Sequence, residues 1–187
     1  MDPIEIGILR LATEKLVKDP HFKKKIDWWL RDGTHSAERW FQFEWAFQLQ
    51  QVLKERDGNL LVICEKERKD VVICSPENQE QAAIEIKWYG NWCIDEKYHL
   101  LKAKNDIEKV AKYPRRAVAL IFLLVVPPYL DWLKEQSRKR YWVQSEKEFI
   151  ERLTKSVSRE PLRCFPFAPS GEPPIWNLHL FAYYKPE

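Results

Sequence analysis

Three side chains between Arg68 and Trp88 (RKDVVICSPENQEQAAIEIKW) have the types and spacing to do chemistry: Asp70, Glu85 and Lys87. Asp70 opens an apolar stretch, Asp70-Val71-Val72-Ile73-Cys74. The other two sit inside a second one, Ala82-Ala83-Ile84-Glu85-Ile86-Lys87-Trp88. Both stretches read as strands, and side chains alternate faces along a strand. Glu85 and Lys87 therefore point one way, and Ile84, Ile86 and Trp88 the other. Two carboxylates about 5 Å apart repel by roughly 3 kcal/mol at an effective dielectric of 20. A hard divalent cation removes that cost, because Mg²⁺ prefers oxygen ligands. Asp70, Glu85 and the carbonyl of Ile86 are a donor set of that kind. The chemistry would be activation of a water against phosphorus, with Lys87 orienting the water or offsetting developing charge. Alternation alone fits a plainer arrangement equally well. In that reading Asp70 starts a strand after a turn, and Glu85 and Lys87 face solvent on an edge strand.

The elements that must position these residues follow from pattern. Ser36 is a suitable N-cap for a long helix over 37–56, whose main apolar face is Trp45, Leu49, Val52 and Leu53. Phe41, Phe43 and Phe47 extend that apolarity around much of the circumference, so cover on more than one side is expected. Asp57-Gly58-Asn59 is a turn. A strand over 60–64, a charged turn over 65–69 and the Asp70 strand come next. A polar connection over 75–81 contains Pro76, which cannot continue a ladder. After the Glu85 strand, Tyr89-Gly90-Asn91 breaks the run. A helix over 95–112 then carries Leu100, Leu101, Ile107 and Val110 inward and Lys97, Lys102, Lys104 and Lys109 as a basic element. Asp106 reads as structural, a local cap or a partner of the backbone. Two acids on the long helix compete to join the site. Glu38 continues the main apolar face toward the N-terminus, so its phase is right. Glu44 lies about 16 Å from the helix end, matching the length of the strand that follows.

This order of elements — helix with Glu, strand, turn, Asp on a strand, Glu-x-Lys on a strand, helix — resembles the PD-(D/E)xK nuclease superfamily, which includes restriction endonucleases and Holliday-junction resolvases. The matching residues are Asp70 and Glu85-Ile86-Lys87. Gln42-x-Glu44 looks like standalone members and tips the helical acid toward Glu44 over Glu38. Glu65 and Asp106-Ile107-Glu108-Lys109 add to the likeness, which covers roughly residues 36–126. Lys69 stands where the motif has Pro. The resemblance implies an α/β fold, a restriction-endonuclease-like core with a mixed sheet of about five strands flanked by helices. It also implies a metal-dependent hydrolase of phosphodiester bonds, endonuclease or exonuclease, using Mg²⁺ or Mn²⁺. Asp70 and Glu85 would hold the metal, Lys87 would position the water, and Glu44 or Glu38 would complete the shell. Nucleic acid is the implied partner, with DNA favoured over RNA, and many small relatives form homodimers. Two rivals stand beside it. One is a catalytically inactive domain of this fold that binds nucleic acid or a protein. The other is an unrelated α/β interaction module whose Asp70 and Glu85 lie far apart.

Length and composition agree with a single domain of 187 residues: an N-terminal helical extension over 1–33, a catalytic core over 36–126, and C-terminal helices with a final strand over 127–187. Apolar residues make up 45% and charged residues 32%, as in a water-soluble domain. A net charge of +3 neither requires nor excludes nucleic acid, but Lys23-Lys24-Lys25, Arg115-Arg116 and Arg138-Lys139-Arg140 are local basic clusters. Among nine Trp, Trp88 and Trp92 are the best placed to stack on bases. Four Cys without C-x-x-C spacing point away from zinc. The apolar run over 117–126 is too short to span a bilayer, and no signal peptide is visible. A reduced, cytoplasmic protein with no membrane contact is expected. That same run, ended by Pro127-Pro128, reads as a strand buried on both faces with a parallel neighbour. Helices over 4–17, 22–30, 129–140 and 145–157, a surface loop over 159–174 and a strand over 176–184 complete the chain. His99 and His179 are expected to be structural or exposed.

Overall fold

A computed structural model describes residues 2–32, 37–56, 58–90, 96–125, 151, 154–155, 163–167 and 176–185. The helices expected over 129–140 and 145–157, along with Trp92 and Arg138-Lys139-Arg140, lie almost wholly outside the described residues. Helices α1 (Ile6–Lys18), α2 (Pro20–Asp32) and α3 (Ala37–Arg56) precede strands β1 (Leu61–Lys66), β2 (Lys69–Cys74) and β3 (Glu80–Gly90). Helix α4 (Glu96–Ala111) leads to β4 (Arg116–Val125), and β5 (Arg163–Phe167) and β6 (Trp176–Tyr184) follow. The architecture is mixed α/β. Six strands form one sheet in the order β1-β2-β3-β4-β6-β5. Only β3 and β4 run parallel, joined through α4; the other pairs are antiparallel.

The sixth strand corrects the expected five. It falls in the stretch read as a surface loop, where Pro166 argues against a ladder. β5 is an edge strand, the place in a sheet that tolerates proline. The β1–β2 connection is also tighter than expected, a two-residue turn of Glu67 and Arg68, both at positive φ. β3 continues through Gly90 instead of breaking at Tyr89, because the parallel ladder with β4 runs on to Gly90↔Leu124.

Alternation assigns each row of side chains to one face. On one face Val71 and Ile73 of β2, Ala82, Ile84, Ile86 and Trp88 of β3, and Val118, Leu120, Phe122 and Leu124 of β4 meet α1, α2 and α3. Trp176, Leu178, Leu180 and Ala182 extend the same layer from β6. Phe122 stacks edge-on to Phe41 at 4.7 Å and lies 5.9 Å from Trp45. Trp45 donates its indole N–H to Thr13 of α1 at 3.0 Å. Helix α1 is therefore part of the main core and not an extension to it. The opposite face is covered by Ile107, Val110 and Tyr113, from α4 and just past its end, against Ala83, Tyr89, Ala119, Ile121, Leu123, Phe181 and Tyr183. His179 is buried on that side at 5% exposure.

Two expectations about apolar faces are corrected. Phe43 and Phe47 are 47% and 57% exposed, so α3 is covered on one side only. Leu101 is 57% exposed, because the inward stripe of α4 starts nearer its C-terminal half. Among the described residues no helix is long and apolar enough to cross a membrane.

Candidate active site

The site is built where β2 and β3 part. Past a register shift between Ile73 and Cys74 their pairing runs to Val71↔Ile84 and stops there, one residue short of Glu85. Beyond that point β3 keeps its β4 partner but has no strand on the other side. Backbone groups released from a ladder need other partners. Asp70, the residue of β2 that would have faced Glu85, supplies one. Its Oδ2 accepts the Ile86 N–H at 2.7 Å. Gln42 of α3 supplies the other, donating from Nε2 to the Ile86 carbonyl at 3.4 Å. The sequence alone predicts Asp70 beside the Glu-x-Lys strand, but not the reason it is held there. A carbonyl oxygen has two lone pairs, so Ile86 keeps acceptor capacity beside Gln42.

Asp70, Glu85 and Lys87 share the α4 face of the sheet, so the solvent-facing alternative does not describe them: Glu85 is 3% exposed. Its Oε1 lies 2.7 Å from the Lys109 ammonium and also accepts a hydrogen bond from the Tyr113 hydroxyl. Burial pushes the Glu85 carboxyl above its ordinary pKa, with the charge of Asp70 adding to the rise and the Lys109 and Tyr113 bonds opposing it. Tyr113 is raised too, first by burial and then by the bond to Glu85. Lys109 makes a second bond at 2.8 Å to the Arg68 carbonyl, in the strained turn between β1 and β2. That bond fastens α4 across the mouth of the site.

The Lys87 ammonium lies 2.7 Å from Glu38 and 3.5 Å from Asp106. Burial works against its charge, but Glu38, Asp106 and Asp70 together outweigh burial and hold its pKa above the ordinary value. The helical acid at the site is thus Glu38. Glu44, favoured on distance and on its spacing from Gln42, turns instead to Lys25 and to the indole N–H of Trp40 at 3.1 Å. Six helical positions separate the two acids, an offset of about 240° around the axis, so only one can face the site. The distance match misled because Lys87, not Glu85, is the residue reached. Lys87 stands two residues, roughly 7 Å, further along β3.

Asp106 was not foreseen at the site. Its Oδ2 is buried with no hydrogen bond, facing Lys87 only at ion-pair distance. Burial, and next to it the charge of Asp70, push its carboxyl pKa up against the opposing pull of Lys87 and Lys109. The available signal was spacing: Asp106, Lys109 and Tyr113 stand at i, i+3 and i+7 and share one side of α4 and its extension. Trp88, proposed to stack on bases, is a core residue: it is 8% exposed and packs on Phe41 at 4.2 Å. Glu65 pairs with Arg39. Of the cysteines described, Cys74 is buried and none is disulfide-bonded.

Among the described residues no group of three or more His, Cys, Asp or Glu side chains is arranged as a ready metal site. The chemistry of the donors nevertheless suits a hard cation. Four carboxylates (Glu38, Asp70, Glu85 and Asp106) gather around two ammonium groups (Lys87 and Lys109), a deficit of two positive charges. The contacts described use Oδ2 of Asp70 and Oε1 of Glu85, so each has a second oxygen to offer. No family model, no curated protein and no solved structure matches this chain.

Proposed function

We propose that the chain is a metal-dependent nuclease of the PD-(D/E)xK type, with a restriction-endonuclease-like core, that hydrolyses phosphodiester bonds in nucleic acid, DNA before RNA. The observation that carries this reading is the convergence of Asp70, Glu85 and Lys87 at the point where β2 and β3 separate. Asp70 and Glu85 would hold Mg²⁺ or Mn²⁺, with the Ile86 carbonyl available beside them. When bound, the ion supplies Lewis-acid polarisation of the phosphodiester and offsets the surplus of carboxylate charge.

The chain's own groups do the rest. Lys87 is kept protonated by Glu38 and Asp106. It can therefore donate a hydrogen bond to an attacking water or to a phosphate oxygen and stabilise charge that develops there. Glu38 and Asp106 fix where that ammonium points. Tyr113 and Lys109 fix the rotamer of Glu85. This reading goes with a reduced cytoplasmic setting and with assembly as a homodimer.

The test is cleavage of supercoiled plasmid and of single-stranded DNA and RNA with Mg²⁺ or Mn²⁺. Lys87→Ala and Asp70→Asn should each lower the rate by about 10²–10³, the cost typical of losing one preorganised charge-stabilising donor. Equal cleavage by Asp70→Asn, or none by the native chain on any polynucleotide, overturns the reading. One observation favours a second reading, a non-catalytic domain of the same fold: both acids already have protein partners, Ile86 for Asp70 and Lys109 with Tyr113 for Glu85. That reading predicts nucleic-acid binding that is indifferent to divalent ions.

A further inference from the structure

The Arg115-Arg116 cluster has no part in the site above, yet it borders a concavity. Where β4 begins and β6 ends, Arg115, Arg116, Tyr184, Lys185 and Asp2 line a recess of about 460 Å³. The backbone of Lys185 is anchored there, its N–H donating to the Ala117 carbonyl at 2.9 Å. Arg116 is paired with Asp2 at 2.7 Å. Arg115 and Lys185 are held differently: the guanidinium of Arg115 donates to the Glu80 carbonyl, and the ammonium of Lys185 to the Tyr113 carbonyl. Those bonds fix both side chains without neutralising them. Neither meets a carboxylate among the described residues. Three cations and one acid thus share the recess, and a concave, low-dielectric wall concentrates such a field.

The recess is also coupled to the candidate active site by a single residue. Tyr113 holds Lys185 through its carbonyl and Glu85 through its hydroxyl. A nucleic-acid strand carries one phosphate per about 3.4 Å of helix rise, so the span of one tyrosine covers only a few nucleotides. Guanidinium and ammonium groups are the natural partners of a phosphate, the first through a planar fork of donors.

We propose that the recess bounded by Arg115, Arg116 and Lys185 is a second anion site, which takes a backbone phosphate of the same strand whose scissile phosphodiester lies at Asp70 and Glu85. It rests on the nuclease reading for the identity of the strand. It fixes the direction of the strand's path, from the site past Tyr113 toward the start of β4, and it sets affinity and register without reading sequence.

The test is binding of fluorescein-labelled single- and double-stranded DNA 20-mers to the full chain, across a range of salt, with Ca²⁺ replacing Mg²⁺. The double variant Arg115→Gln/Lys185→Gln keeps a donor for each carbonyl and removes both charges. Losing one phosphate contact should flatten the slope of log affinity against log salt by about 0.7 for the single strand and about 0.9 for the duplex. The charge-conserving pair Arg115→Lys/Lys185→Arg should keep the native slope, which separates lost charge from a damaged fold. An unchanged slope in the Gln variant, or an equal loss in the conservative pair, overturns the recess. Cleavage with Mn²⁺ at saturating DNA separates this proposal from the one it rests on. If the native chain cleaves but the slope does not move, the recess alone fails. If the slope moves but nothing is cleaved, the recess stands and the nuclease reading fails. If no DNA is bound at all, both fail.

Discussion

The two faces of the sheet are made from the same strands by the same alternation, and they do opposite things. Ala82, Ile84, Ile86 and Trp88 of β3 enter an apolar layer closed by α1, α2 and α3. Ala83, Glu85, Lys87 and Tyr89, one position out of step, face α4, and the middle two carry charge into the interior. On the first face the clustered side chains carry no charge, and the one cost visible at β3 is the Trp88 indole N–H, buried without a hydrogen-bond partner. On the second, burial raises the pKa of Glu85 and of Asp106 and leaves an oxygen of Asp106 without a hydrogen bond. One face stores stability; the other accepts a cost in stability to hold charges close together. Such a cost is characteristic of functional sites.

Four substitutions break or sharpen that contrast. The largest effect belongs to the apolar face. Phe122 is fully buried between Phe41 and Trp45, and Phe122→Ala should lower unfolding free energy by about 3–5 kcal/mol, read by urea denaturation. A loss under about 1 kcal/mol would mean that this layer is not the one holding the fold together. On the charged face the effect moves from stability to rate. Glu38→Gln removes the nearest counter-charge of Lys87 and should slow metal-dependent cleavage by about 10–100-fold, the worth of one charged hydrogen bond. Glu44→Gln, on the other side of the same helix, should leave the rate unchanged. The reverse result would restore Glu44 as the helical acid. The smallest effect is on ion binding. Lys109→Met takes away the ammonium that competes for Glu85 Oε1, and should tighten Mn²⁺ binding up to about tenfold by titration calorimetry without substrate, about 1.4 kcal/mol. Weaker binding in that variant would show that Lys109 builds the site and does not compete with the ion.

Much of this could be read from the chain itself. The apolar run over 117–126 announced a strand buried on both sides with a parallel neighbour, and β4 (Arg116–Val125) is that strand. Periodicity placed α1, α3, α4 and β6 close to where they are. β5 was hidden by Pro166, since a local rule against proline in ladders says nothing about whether a strand lies at an edge. Gln42 and Asp106 were missed for a related reason: each acts only through a partner far away in sequence, at Ile86 and Lys87.

The sequence by itself determined which residues share a face, because strand and helix periods are properties of the local backbone. It thereby put Asp70 at the start of one strand and Glu85 and Lys87 on one face of the next. Only the tertiary structure decided where β2 leaves β3, and so why Asp70 turns to Ile86. It also decided which side of α3 is turned inward, and so why Glu38 and not Glu44 meets Lys87. Those choices depend on how whole elements pack against one another, and packing is settled by contacts between residues that no local spacing brings together.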